Sequence, residues 1–302
     1  VSYNREILNR ADDSVVRFIN NRLTVIRRSR GFVPGPVDIR FEAEGILALG
    51  AEQKNSFCIG KGKQAILSQY IGDLRNKATL EFFTGSIERF GKLFRFKPSY
   101  LACDLHPDYL SSQYAENLEA RLGIPLLKVQ HHHAHIASCM AENCIDEEVI
   151  GVCFDGTGLG TDGTIWGGEF MITDLCEFRR YSHFDEIQLP GGDIAANEPW
   201  RSAFSYLWKY FGDDFDYYSI PAFRTISQEK FLALREMLNK KINTPLSSGA
   251  GRLFDAVSAM TGLCTFSSFD SEAPIRLESA ICDFTDDFYP FQAGKTVMFR
   301  DT

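Results

Sequence analysis

No apolar run in this sequence reaches the roughly 18 residues that a membrane-spanning helix needs, and nothing in it points to a membrane partner. The first residues lack the charged-then-apolar layout of a secretory signal. Eight cysteines are scattered without one C-x-x-C pair, which argues against a zinc finger. In a chain without a secretory signal they read as free thiols, and the expected compartment is the cytoplasm. Cys139 and Cys153 lie in apolar runs and are expected in the core. Positive charge is in deficit: 32 Lys and Arg against 40 Asp and Glu leave a net charge of −8. That balance argues against nucleic acid as a partner. One local patch, Arg27-Arg28-Ser29-Arg30, stays open to two readings, a solvated strand edge or an anion contact. Neither a Gly-Lys-Ser/Thr phosphate loop nor a dinucleotide fingerprint occurs, and no Ser-His-Asp or Cys-His nucleophile arrangement stands out. There is no internal repeat.

What the chain does have is a histidine cluster. Four of its six histidines fall between positions 131 and 135, in Val-Gln-His-His-His-Ala-His. If a helix starts there, His131 and His135 share a face with Cβ atoms about 5–6 Å apart. Shortly after comes an apolar strand, 149–154, running into Asp155-Gly-Thr-Gly-Leu-Gly-Thr-Asp-Gly163. A solvated or capping cluster is the plain reading of the histidines. The aspartate at the exit of a neighbouring strand favours a metal site made of His131, His135 and Asp155. Two imidazoles and one carboxylate suit zinc or ferrous iron and leave positions open. Four glycines within 156–163 read either as a long hairpin loop or as a row of exposed N–H groups that cradles a phosphate.

The remaining pattern organises around this stretch. At 302 residues the chain has room for two lobes, each with its own core. Residues 13–18 and 22–31 alternate like a hairpin turning at Asn20-Asn21, and Pro34-Gly35-Pro36 reads as a linker. Strands are expected at 45–50, 56–60, 64–70, 100–104 and 125–129, with helices at 77–94, 109–122 and 131–142. The pattern then restarts, with strands at 149–154, 165–172 and 178–184 and helices at 198–211, 228–238 and 248–263. The expected domains are 1–36, 37–147 and 148–302. Two lobes that each open with a strand, a glycine turn and a strand suggest a nucleotide clamp. Alone, Gly50-Ala-Glu-Gln-Lys54-Asn reads as an ordinary turn; as the equivalent of the second-lobe loop it becomes a candidate second phosphate contact, with Lys54 supplying charge. Pro190-Gly191-Gly192-Asp193 and Gly249-Ala-Gly251-Arg-Leu-Phe-Asp255 are helix entries, hence plain loops or anion sites, and Asp255 is placed to face the cleft. Both ends look cut, the last on a strand-like run over 295–300, so a fragment of a longer protein is expected.

Taken together, residues 129–138 (VQHHHAHIAS), 155–170 (DGTGLGTDGTIWGGEF), 189–193 (LPGGD), 198–201 (EPWR) and 251–257 (GRLFDAV) resemble the hydrogenase maturation carbamoyltransferase family HypF. Residues 5–36 look like the tail of that family's YrdC-like domain. The resemblance implies an α/β, two-lobe actin-like ATPase fold (ASKHA, RNase H-like) with mixed sheets flanked by helices, shared with the TsaD family and preceded by a short YrdC-like β fragment. It implies transfer of a carbamoyl group from carbamoyl-adenylate, made from carbamoyl phosphate and ATP, to the C-terminal cysteine of HypE, for the cyanide ligand of nickel–iron hydrogenase. Carried over by motif, His131, His135 and Asp155 become ligands of one divalent metal. Gly50, Gly156, Thr157, Gly158, Gly160, Gly191, Gly192, Asp193 and Gly251 line a site for ATP, AMP or carbamoyl-adenylate. Lys54 and Asp255 become contacts to the reacting group. The family pattern also implies a further aspartate ligand in a glycine-rich segment that this sequence does not contain. Residues 269–274 (FDSEAP) stand where a tyrosine-glutamate-glycine run is usual. Two other readings compete: an O-carbamoyltransferase of small-molecule biosynthesis, and a non-catalytic module that docks nucleotide and HypE.

Overall fold

A computed structural model of the chain describes Asn4, residues 7–282 and residues 286–298. Arg5 and Glu6 of the YrdC-like resemblance, Asp283 of an acidic stretch, and Phe299 and Arg300 of the closing strand-like run lie outside the described residues. The fold is mixed α/β, as expected, and divides into two compact units, Val1–Asp146 and Glu147–Thr302.

The first unit opens with an antiparallel hairpin, β1 (Val15–Ile19) and β2 (Arg22–Arg27). Asn20 and Asn21 carry φ of 49° and 59°, as a two-residue turn between right-twisted strands requires. The basic patch after it is used locally. Arg28 Nη2 donates to the Phe32 and Gly35 carbonyls, Arg30 Nη2 donates to the Ala11 carbonyl, and the Arg27 guanidinium lies 4.8 Å from the Tyr70 ring centre. These contacts favour the structural reading of the patch.

Six short strands follow: β3 (Val37–Asp38), β4 (Ile46–Ala48), β5 (Cys58–Lys61), β6 (Gln64–Leu67), β7 (Tyr100–Asp104) and β8 (Leu126–Val129). They form one sheet in the order β3-β6-β5-β4-β7-β8. Strands β4 to β6 are an antiparallel meander, while β7 runs parallel to β4 and β8 parallel to β7. Parallel neighbours need a crossover. Helices α1 (Lys77–Phe94) and α2 (Leu110–Leu122) supply it, giving the RNase H-like arrangement. Asn76 caps α1 by accepting the Ala78 N–H at 2.9 Å. The helix buries Phe83 and Phe90 edge-on against Phe57, with centroids 6.1 and 5.0 Å apart. Helix α3 (His131–Glu142) follows β8 with one residue between. Its inward stripe runs through His132, His133, Ile136 and Met140. Cys139 falls just off that stripe and is exposed, against the sequence expectation, whereas Cys153 is buried.

The second unit opens with an antiparallel meander of β9 (Val149–Leu159), β10 (Ile165–Thr173) and β11 (Phe178–Phe184). Then come β12 (Ile187–Gln188), α4 (Ile194–Asn197), α5 (Pro199–Phe211), α6 (Gln228–Lys240), β13 (Leu246–Ser247), α7 (Ala250–Met260), α8 (Glu272–Ser279), β14 (Gln292–Ala293) and β15 (Thr296–Met298). The sheet order is β12-β13-β10-β11-β15-β14, with β9 also on β10. Trp200 and Phe204 of α5 and Phe231 of α6 pack with Ala256 and Ala259 of α7, whose small side chains admit the aromatic rings. Helix α8 escapes sequence reading because Pro274 breaks the pattern, although a first-turn proline is tolerated.

Two buried carboxylates in this unit behave in opposite ways. Glu169 on β10 is fully buried. It accepts from Arg180 Nε at 2.7 Å, Ser248 Oγ at 2.5 Å and the Gly167 N–H at 3.1 Å. Burial pushes its pKa up, but the Arg180 and Ser248 hydrogen bonds and the arginine charge outweigh this and hold it below the ordinary value. Asp255 on α7 is 2% exposed. Its Oδ2 lies 2.9 Å from Arg252 Nη2, at ionic distance but outside hydrogen-bond geometry. Here desolvation wins over the arginine's attraction, Asp270 adds repulsion, and the pKa rises to about 6.

Glu169→Gln is expected to cost about 3 kcal/mol in urea unfolding at pH 7, because it breaks a buried pair and strands Arg180. A lowered folded pKa stabilises above the unfolded value of about 4.3 and loses that stabilisation as pH falls through the folded pKa. The difference between variant and parent should therefore shrink below pH 4.3. Asp255→Asn should do the reverse. A raised folded pKa penalises the ionised form progressively from about pH 3.9 to 6, so the variant should be about 1–3 kcal/mol more stable at pH 7 and equal to the parent near pH 4. A less stable Asp255→Asn variant at pH 7 would refute this assignment.

Candidate metal centre

The histidine cluster is positioned by parallel strands. In the β7–β8 ladder Asp104 stands opposite Val129, so the acid closing one strand lies beside the residues that leave the other. Gln130 then turns strand into helix. Its backbone is extended, and its Oε1 accepts the His133 N–H at 2.9 Å as the α3 cap. Its Nε2 lies 3.0 Å from His132 Nδ1, and His132 and His133 are buried. His132 and His133 thus sit on the buried face of the helix, neither solvated nor capping it, while His131 and His135 face the other way.

His131 and His135 bring their Nε2 atoms to 3.2 Å, with ring centroids 4.8 Å apart and planes at 84°. Two nitrogens bound to one tetrahedral zinc at about 2.0–2.1 Å lie about 3.3 Å apart, so the spacing fits a shared cation. The far side of His131 is held: Nδ1 lies 2.6 Å from Asp104 Oδ2, and the carboxylate's other oxygen accepts the His106 N–H at 2.9 Å. Sequence reading missed Asp104. The available signal was an acid ending an apolar strand one crossover before the histidines.

Asp155 sits in β9, partly buried, and its Oδ1 accepts the Gly156 N–H at 2.6 Å. The strand does not end at Phe154 as expected but continues to Leu159. Residues 155–157 bulge: Phe154 pairs with Gly168 and Gly158 with Trp166, so three residues face Gly167 alone. The glycine-rich stretch is therefore strand and bulge, with a short turn at 160–164, and its N–H groups are largely used within the chain. Gly160 N–H donates to Thr164 O at 2.9 Å, and a Cβ there would sit 2.1 Å from Trp166 Nε1. A Cβ on Gly249 or Gly251 would lie 2.5 Å from Gly156 O or 2.8 Å from Gly156 Cα. These glycines let the start of α7 close on the bulge. Thr157 is exposed there, Gly158 is buried in the ladder, and the Arg252 guanidinium comes near Gly156. Sequence reading left Arg252 without a role.

The other expected site residues are placed as follows. Gly50 and Lys54 lie in a tight turn with φ of 68° and 50°. Buried Asn55 holds it by donating to the Leu49 and Ala51 carbonyls at 3.0 and 2.6 Å. Lys54 is exposed. Gly191 and Gly192 donate to the Asn243 and Leu189 carbonyls at 2.8 and 3.0 Å, and Asp193 is exposed before the single turn of α4. Asp255 does not lie open to a cleft as expected: it faces inward on α7 and pairs with Arg252. No helix among the described residues is long and apolar enough to cross a membrane.

Comparison with known proteins agrees with this architecture. Residues 41–142 match the family model described as the HypF Kae1-like domain, and residues 151–301 match the carbamoyltransferase, Kae1-like domain, second subdomain. Carbamoyltransferase HypF2 of Cupriavidus necator is 39% identical over 91% of this chain and 34% of its own length. Carbamoyltransferase HypF of Rhodobacter capsulatus is 42% identical over 93% of this chain and 38% of its own length. The chain thus spans a little over a third of the length of these curated relatives. A crystal structure of full-length HypF in a phosphate- and nucleotide-bound form superposes with a TM-score of 0.89 at 38% identity, over 97% of this chain and 38% of that one. The T. kodakarensis HypF structure gives a TM-score of 0.83 at 39% identity, over 90% and 37%. The chain belongs to the carbamoyltransferase HypF family and carries its Kae1-like domain.

Proposed function

We propose that this chain is the carbamoyl-transferring part of a HypF-type protein acting in hydrogenase maturation in the cytoplasm. It takes carbamoyl-adenylate, made from carbamoyl phosphate and ATP in the YrdC-like domain of which residues 1–36 are the tail. It passes the carbamoyl group to the C-terminal cysteine of a HypE-like protein. The acceptor thiolate attacks the carbamoyl carbon, the C–S bond forms, the bond from carbon to the adenylate oxygen breaks, and AMP leaves with that electron pair.

The observation that carries this reading is the imidazole pair, with Nε2 atoms 3.2 Å apart. His131, His135 and Asp155 each offer one donor atom to a cation and would hold one zinc or iron ion. Such an ion, when bound, supplies a Lewis acid to a carbamoyl or phosphate oxygen. The chain's own residues do the rest. Arg252 and Lys54 bring positive charge to phosphate oxygens. Asp255 holds Arg252 from behind rather than touching the reacting group. Thr157, the start of α7 at Gly251 and, by the family motif, Gly50, Gly191, Gly192 and Asp193 are the nucleotide contacts, and Gly156, Gly158 and Gly160 shape the strand that carries Thr157. The nucleotide- and phosphate-bound state of the similar full-length HypF supports this assignment.

Full-length protein containing this chain, mixed with carbamoyl phosphate, ATP and the HypE-like acceptor, should add one carbamoyl mass to the acceptor's terminal cysteine, read by intact-mass spectrometry. A His131→Ala, His135→Ala double variant should add none and should lose its metal. An acceptor of unchanged mass beside a protein that retains metal and nucleotide would remove the reading.

A further inference from the structure

We infer that Asp104 is a positioning residue that sets the tautomer and the aim of His131, so that its Nε2 presents a lone pair on the face shared with His135. The inference rests on the metal reading above but is tested separately from it. Asp104 Oδ2 lies 2.6 Å from His131 Nδ1. A carboxylate only accepts, so the proton of the neutral ring belongs on Nδ1 and Nε2 is left bare. In water the neutral imidazole has no partner to impose that choice.

The carboxylate is itself held from several sides. Its side chain is 5% exposed and that of His131 18%, so water competes poorly for either partner. Oδ1 accepts the His106 N–H at 2.9 Å, and Ser112 Oγ donates to the Asp104 carbonyl at 3.0 Å. The loop behind is tied by two contacts: the His106 ring stacks on Tyr109 at 4.1 Å with planes 4° apart, and the Leu105 N–H donates to Val129 O at 2.9 Å. That last bond ties the loop to the strand that delivers His131. Acid and imidazole therefore keep their separation without depending on a ligand. An outer carboxylate on a ligating histidine typically carries 10- to 100-fold of metal affinity.

Nitrogen-15 correlation spectra of the metal-free protein should show His131 protonated at Nδ1 alone. In Asp104→Asn and Asp104→Ala the signal should move toward the Nε2-protonated form. Zinc affinity, measured by competition with a chromophoric chelator, should fall about 10- to 100-fold in both. Asp104→Glu should recover part of the loss. Circular dichroism is the check that each variant folds, and the near-isosteric Asn substitution keeps the test valid if the Ala variant does not fold. An unchanged His131 tautomer and unchanged zinc affinity in Asp104→Asn would overturn the inference. A parent protein that shows the Nδ1 tautomer but binds no zinc would instead overturn the metal reading and leave the role of Asp104 in aiming His131 standing.

Discussion

The parallel register of β7 and β8 is the constraint on which the imidazole pair depends. Asp104 and His131 are 27 positions apart in sequence and meet because α2 returns the chain so that both strands end on the same side. One residue, Gln130, then converts strand into helix and spends its side chain on the cap. With the helix starting at His131, the 3.6-residue turn brings His135 onto the same face. A slip of one residue in the ladder would set a different side chain beside Val129 and leave His131 without its carboxylate.

In the second unit the comparable constraint is a buried ion pair. Glu169 gathers the Gly167 N–H, the Ser248 hydroxyl and the Arg180 guanidinium, and Arg180 also lies 4.2 Å from the Trp166 ring centre and 3.1 Å from Asp162. One carboxylate thereby ties the bulged hairpin that carries Asp155 to the residue that precedes the α7 entry. The glycines at 249 and 251 let the start of α7 meet the backbone at Gly156 where side chains would clash. Asp255 shows the cost of burial with fewer hydrogen bonds: its Oδ2 has only the ionic approach of Arg252, and its pKa is raised to about 6.

Periodicity made much of this architecture legible. The helices at 77–94 and 131–142 and the strands at 100–104 and 178–184 carry the expected boundaries. The hairpin at Asn20-Asn21 follows from turn chemistry alone. Three features were not legible, each for a physical reason. The glycine run reads as a loop, yet it is a strand, because glycine permits close backbone approach as readily as a turn. Asp255 reads as open because helical phase does not reveal that its face is covered by the rest of the unit. Asp104 shows in the sequence only as an acid ending an apolar strand, and that does not name its partner, which sheet order sets. The imidazole pair was legible because its geometry is contained within one turn of one helix.

The central claim is that the aligned imidazoles of His131 and His135 bind a metal ion. X-ray absorption at the zinc or iron edge of the metal-loaded protein tests it most directly. Two imidazole nitrogens at about 2.0–2.1 Å, with oxygen in the remaining positions, are expected, and the histidine scattering should vanish in the double alanine variant. A shell dominated by sulfur at about 2.3 Å, or one without imidazole scattering, would contradict it.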